Sequence, residues 1–144
     1  MTPRDPDFEA RCRRLFHQQG IMGTLGGTVE AVGVGTCVLA APITPAVSQQ
    51  HGYAHAGLAW TMGDSACGFA AQTLLAPTQD VLTIEMKINL LAPAQGARLV
   101  AEGRVIRAGR RISSTAAEVY AEADGERIHV ATLLGTMMIM EGLA

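Results

Sequence analysis

The sequence predicts an α+β protein in which an antiparallel sheet wraps around a long central helix. Three observations carry that prediction. The run Tyr53 to Leu75 is apolar or small at nearly every position, so a helix there is buried on most sides. From Val81 onward the chain changes to alternating apolar and polar residues, the pattern of half-buried strands. Turn signals such as Asp124-Gly125 then cut that second half into a meander of hairpins.

The elements follow in order. In Asp7 to Gln19, the residues Phe8, Cys12, Leu15 and Phe16 share one helical face, and Gly20 stands where such a helix stops. Gly26 to Ala41 is rich in Val, Thr and Gly and reads as two strands broken at Gly33-Val34-Gly35. Pro42 to Gly52 reads as a loop. The long helix follows, with small residues such as Ala59, Gly63, Ala66 and Ala70 to let strands pack close, and Pro77 ends it. In Val81 to Leu91 the alternation sets Leu82, Ile84, Met86, Ile88 and Leu90 against Thr83, Glu85, Lys87 and Asn89. Arg98 to Ala108, Ile112 to Ala123 and Arg127 to Met140 complete the sheet, with Ala108-Gly109 as the other hairpin turn.

At 144 residues the chain is expected to form a single domain over 1–144, with residues 1–20 as an N-terminal helical segment. Its hydrophobic share is 49% and its charged share 17%, which excludes a disordered chain. A net charge of -2 gives no electrostatic reason to bind nucleic acid. The two most apolar stretches are broken by charge, Pro and Gly, so no membrane association is expected. Cys12, Cys37 and Cys67 have no metal-type spacing and read as reduced packing residues in a cytoplasmic protein. No P-loop, dinucleotide fingerprint, nucleophile elbow or zinc motif is present, and no cofactor or metal is expected.

Asp64 is the only formally charged side chain between Glu30 and Asp80. It interrupts an apolar helix near its middle. Desolvating a carboxylate is expensive unless partners compensate it. An isolated carboxylate at such a place is a candidate for chemistry. The alternative is an Asp that caps a helix or faces a wet groove, but the apolar pattern continues through Asp64 instead of starting at it.

The residues carry a family resemblance as well. The segment Gln49-Gln50-His51-Gly52-Tyr53-Ala54-His55-Ala56-Gly57, followed by Asp64-Ser65-Ala66-Cys67-Gly68, closely resembles the hot-dog fold acyl-CoA thioesterase superfamily of the phenylacetate-degradation (PaaI-like) type. In that family an HGG motif opens the central helix and a catalytic Asp follows on it. The corresponding residues here are His55, Ala56 and Gly57, then Asp64. The strand Leu82 to Asn89 and its exit Leu91-Ala92-Pro93 match as well. The resemblance implies a hot-dog fold and hydrolysis of acyl-CoA thioesters, with Asp64 as nucleophile or as general base for water. It implies that the Ala56 N–H polarises the thioester carbonyl, that Gln49, or Gln50 beside it, orients water or thioester, and that Thr83 holds the attacking water. Ala56 departs from the family glycine, which keeps the backbone donor but adds a methyl group.

Asp64 stands about two and a half helical turns beyond His55, so it cannot reach a carbonyl held at its own helix start. The resemblance implies that one subunit supplies the donor and another the carboxylate, in a homo-oligomer, dimer or tetramer. A helix this apolar also needs a partner to cover what one curved sheet leaves bare.

Other residues keep two readings. His55 either caps the helix or takes part in chemistry. His51 either contacts substrate or is held by loop backbone. Trp60 and Met62 are core or line a substrate tunnel, with core favoured. Arg107, Arg110 and Arg111 form either a solvated hairpin or a grip on the CoA phosphates, and Lys87 is a weaker choice for that grip. Two competing functions remain open: a hot-dog hydratase or dehydratase, and a non-catalytic acyl-CoA binding module. The Pro-rich loop of the former is missing, and a pure binder has little reason to bury Asp64.

Overall fold

The structure, a computed structural model, describes residues 1–142; Leu143 and Ala144, the last two positions of the predicted 1–144 domain, lie outside the described residues. Helices α1 (Phe8–Gln18) and α2 (Gly20–Leu25) precede strands β1 (Thr28–Gly33) and β2 (Thr36–Pro42). A short 3-10 turn at Pro45–Val47 leads to the central helix α3 (Ala56–Gln72). Strands β3 (Gln79–Leu90), β4 (Arg98–Ala108), β5 (Ile112–Ala123) and β6 (Glu126–Glu141) follow. All six strands join one antiparallel sheet in the order β1-β2-β4-β5-β6-β3. The sheet curls around α3, which packs against β2 through β6. This is the hot-dog arrangement that the apolar helix and the meander predict.

The close packing depends on small residues. A Cβ on Gly103 in β4 would lie 2.3 Å from the Ala66 carbonyl, so only glycine lets the strand approach α3 there. Leu58, Met62, Ala66, Cys67 and Phe69 of α3 meet Leu39, Leu99, Val119 and Leu133 of the sheet in one core. The β5–β6 hairpin turns at Asp124 (φ 51°) and Gly125 (φ 82°), two left-handed residues in succession, as an Asp-Gly turn requires. The other hairpin differs from expectation. Its connection is Gly109 to Arg111, closed by the Gly109 N–H donating to the Ile112 carbonyl at 2.9 Å.

Several boundaries move from where the sequence puts them. Gly20 does not stop the first helix; Gln19 breaks it with an extended backbone (φ -76°, ψ 107°) and Gly20 opens the short α2. The central helix is shorter than Tyr53 to Leu75 at both ends, and Pro77 does not end it. Arg11 takes the carbonyl of the helix's last residue and two carbonyls just beyond it. This buried guanidinium donates from Nη2 to Gln72 O (3.2 Å) and Leu75 O (3.0 Å), and from Nη1 to Ala76 O (2.7 Å). A cation at a helix C-terminus also complements the helix dipole. Asp5 stands 3.1 Å from Arg11 Nε, close enough for an ionic contact but out of line for a hydrogen bond.

Strand β3 corrects the simplest alternation. Thr83 pairs with Met137 and Glu85 pairs with Thr136, which leaves Ile84 as an extra residue in a bulge. Past the bulge the side-chain phase is inverted. Val81 and Thr83 therefore share the helix-facing side with Met86 and Ile88, while Leu82 and Ile84 are exposed. The simple alternation groups Thr83 with Lys87 and Asn89, and Leu82 and Ile84 with Met86 and Ile88; the bulge separates the members of both groups.

Candidate active site

The start of α3 is held by a pinned loop. Ser48 and Ala54 form an antiparallel bridge, and the His55 N–H donates to Val47 O at 2.8 Å. Inside this loop the Gln49 side-chain Oε1 accepts from the His51 N–H, which fixes Gln49 and leaves its amide NH₂ as the remaining donor. His55 is the N-cap of α3: its Nδ1 accepts from the Gly57 N–H at 2.8 Å. That bond makes His55 a capping residue and occupies the Gly57 donor. The Ala56 N–H is the remaining donor at this helix start. Gln49, Gln50, His55, Ala56 and Leu90 line a cleft of about 590 Å³ between the loop, α3 and the end of β3.

Asp64 lies in a different cleft, of about 390 Å³, between α3 and the beginning of β3. The Thr83 hydroxyl, turned inward by the Ile84 bulge, donates to Asp64 Oδ1 at 2.7 Å. Burial pushes the Asp64 carboxyl above its ordinary pKa, and the Thr83 hydrogen bond pulls partly the other way. The result is a half-buried carboxylate of raised basicity with one oriented partner and, among the described residues, no hydrogen bond on Oδ2. Groups tuned in this way act as bases or nucleophiles. The buried thiols do not compete for that role. Burial pushes Cys12 and Cys67 up to about 11 and Cys37 up to about 12, so all three are protonated at neutral pH.

Within one chain these two half-sites do not meet. Ala56 and Asp64 stand two helical turns apart, roughly 12 Å along the axis. They do lie on one continuous stripe of α3. Ala56, Gly57, Trp60, Thr61, Asp64, Ser65 and Gly68 are the residues of α3 that are not fully buried, and they fall on one side of the helix. Trp60 sits on this stripe, 38% exposed, and lines neither cleft; the core reading of Trp60 is therefore wrong, while Met62 is fully buried. Strand β3 forms an edge of the sheet beside the stripe.

His51 is exposed and lines neither cleft. Arg107, Arg110 and Arg111 are exposed on and beside the β4–β5 connection, also outside both clefts. That connection is nevertheless at the Thr83 end of the sheet. Arg111 O accepts from the Ile139 N–H, and Ile139 pairs with Val81. Sequence reasoning missed Arg11 as the helix cap and missed Gln19, Ser65 and Asp80 as lining of the Asp64 cleft. Only the amphipathic face of α1 hinted that something docks beside α3.

Among the described residues no group of His, Cys, Asp and Glu is arranged to hold a metal ion, and no helix is long and apolar enough to cross a membrane.

This geometry matches a known class. The thioesterase superfamily model matches residues 51–128, which span the loop, α3, β3, β4 and β5. The chain belongs to the thioesterase superfamily and is a hydrolase of the hot-dog fold. It is similar to a crystal structure of a thioesterase family protein from Silicibacter pomeroyi, with a TM-score of 0.92 and 38% identity over 94% of this chain and 99% of that one. It is 28% identical over 91 residues to the 1,4-dihydroxy-2-naphthoyl-CoA hydrolase of Listeria monocytogenes, covering 63% of this chain and 74% of that protein. The PaaI protein from the phenylacetic acid degradation operon of E. coli shares the fold, with a TM-score of 0.84 at 16% identity over 96% of this chain and 97% of that one.

Proposed function

We propose that this protein hydrolyses acyl-CoA thioesters to the free acid and CoA, acting as one domain in a homo-oligomer of the cytoplasm. The observation that carries the reading is the division of one reaction's equipment between two clefts on one helix. Asp64, oriented by Thr83, has the raised basicity needed to act as nucleophile or to deprotonate water. The free N–H of Ala56, at a helix start with its partial positive charge, suits the oxyanion that forms when a thioester carbonyl is attacked. The Gln49 amide beside it supplies a second donor. Collapse of the tetrahedral species breaks the C–S bond, and the thiolate of CoA leaves and takes up a proton; where Asp64 is the attacking group, water then cleaves the acyl–Asp64 anhydride to release the acid and restore the carboxylate.

A carbonyl polarised by Ala56 of one subunit is attacked with help from Asp64 of another when two α3 stripes lie side by side. The uncovered face of α3 and the edge strand β3, with Leu82 and Ile84 exposed, support that assembly. A dimer is the minimum, and a tetramer of two dimers fits the same reading. Arg107, Arg110 and Arg111 grip the CoA phosphates from the Thr83 end of the sheet. The test is steady-state turnover across aryl, short, medium and long acyl-CoA thioesters, followed by thiol release. Absence of turnover on every member of the panel, with binding retained, would replace the hydrolase reading with that of an acyl-CoA binding module.

A further inference from the structure

The Thr83 hydroxyl that orients Asp64 has a second neighbour. Thr83 of β3 and Met137 of β6 are direct partners across the antiparallel pair, so their side chains leave the sheet on the same face. Met137 is fully buried. Its Sδ lies 3.4 Å from Thr83 Oγ1 with hydrogen-bonding geometry, while Asp64 Oδ1 lies 2.7 Å from the same oxygen. Thr83 Oγ1 thus meets a carboxylate and a thioether as acceptors, and a hydroxyl has a single proton to give.

Charge settles the choice when Asp64 is ionised. A hydrogen bond to a carboxylate is roughly twice as strong as a neutral one, and a thioether sulfur is a weak acceptor. The proton then points at Oδ1, and the sulfur rests in van der Waals contact, which its soft, apolar character tolerates. The order reverses when Asp64 is protonated. The carboxyl now has a proton of its own to donate, and Thr83 Oγ1 has lone pairs to accept it. The hydroxyl proton turns to Met137 Sδ, and the three groups form one chain in which each donor is paired. No proton leaves Thr83 in either state; only the direction of its O–H changes. A leucine here would fill much the same space and offer no acceptor.

The other titratable groups that face Asp64 are Asp80 of β3, in the same cleft, and the Cys67 thiol on α3. The lining from α1, Leu15 and Gln19, carries no charge, and Arg104 of β4 bears on Cys67 but not on the carboxyl. Among the described residues Thr83 alone hydrogen-bonds the Asp64 side chain.

We propose that Met137 is a positioning residue of this site, its sulfur holding the Thr83 proton while Asp64 is protonated and yielding it to Asp64 on ionisation. The Asp64–Thr83 pair is thereby held through both proton states that a general base visits in a turnover. The inference rests on the thioesterase reading for the use made of Asp64, whereas the relay itself is a property of the protein without substrate. Removing the sulfur takes a partner from the neutral form alone, so the carboxyl becomes easier to ionise. Thr83→Val acts in the opposite direction, because it removes the stronger bond to the charged form.

The experiment follows the Asp64 carboxyl by carboxyl-carbon NMR in the wild-type oligomer labelled at aspartate, the signal being assigned by its loss in Asp64→Asn. In Met137→Leu the titration midpoint should fall by about half a pH unit. The same change added to Thr83→Val should leave the midpoint in place, since the sulfur acts only through the hydroxyl. A midpoint that stays or rises in Met137→Leu, or an equal fall in both backgrounds, overturns the inference and makes Met137 a packing residue. Should Met137→Leu not fold, norleucine incorporated in place of methionine removes the sulfur at constant shape and is read against the same outcomes. The acid limb of kcat/KM should move with the midpoint. A shifted midpoint with an unmoved acid limb upholds the relay and removes Asp64 as the base of the reaction.

Discussion

Thr83 Oγ1 reaches Asp64 Oδ1 at 2.7 Å because one extra residue, Ile84, reverses the phase of β3. Without the bulge, Thr83 would face outward with Lys87 and Asn89. The catalytic carboxylate is thus oriented by a defect in the strand opposite it, an arrangement common where a sheet has to re-aim a side chain.

Asp64→Asn and Asp64→Ala should reduce kcat by at least about 10²–10⁴-fold, the usual share of general acid–base work, and by more if Asp64 is the nucleophile. Both proteins should keep the wild-type oligomeric state and circular dichroism spectrum. Near wild-type kcat in purified Asp64→Ala would remove Asp64 from the chemistry.

The raised pKa of Asp64 has two consequences. Activity needs the ionised form, so the acid limb of kcat/KM should lie above the ordinary carboxylate value of 3.8. Thr83→Val, which removes the bond that lowers this pKa, should move the limb to higher pH, and Thr83→Ser should restore it. For stability the sign is opposite. A carboxyl whose folded pKa is raised stabilises the fold below its unfolded value and loses that contribution as pH rises through the folded one. Asp64→Asn should therefore melt at a higher temperature than wild type at neutral pH, with the gap closing toward acid. Thermal scans across pH decide it, and an Asp64→Asn protein less stable at neutral pH would contradict the burial argument.

Shared sites predict complementation. Asp64→Ala mixed and reassembled with Gln49→Ala should regain activity, since a hybrid dimer holds one intact site. A fully active monomer by light scattering at assay concentration would end the shared-site reading.

Neutralising Arg107, Arg110 and Arg111 together should raise KM for acyl-CoA more than it lowers kcat, because the nucleotide end is remote from the carbonyl. The rise should shrink at high salt, where phosphate contacts are screened. An unchanged KM and salt dependence would make the three arginines ordinary surface.

Arg11→Met should destabilise the protein by about 3–5 kcal/mol in urea titrations, since it strands buried Asp5 and uncaps α3. A loss below about 1 kcal/mol would mean that solvent replaces the cap.

Much of this was legible in the sequence, for identifiable reasons. The bounds of β4 and β5 and the turn at Asp124-Gly125 follow from period-two alternation and turn chemistry, which are local. Asp64 announced itself by charge alone. The ends of α3 were not legible, because Arg11 caps it from more than sixty residues away in sequence. The Ile84 bulge left no mark in the alternation, so Thr83 was reached only through family resemblance. Trp60 misled because an apolar residue on an apolar helix looks like core until the sheet is seen to stop short of it. Gln19 and Asp80 come to line one cleft only once α1 has docked, and an amphipathic pattern does not say where a helix docks.

Helix α1 does two unrelated jobs with neighbouring residues: Arg11 bolts down the end of the reactive helix, and Leu15 lines the cleft that holds Asp64. A chain that exchanged only this leading segment would change its heat tolerance and the walls of that cleft together, with Asp64 and Thr83 left in place. Divergence among such proteins has a short stretch on which to act, anchored by the buried Arg11, Cys12 and Phe16.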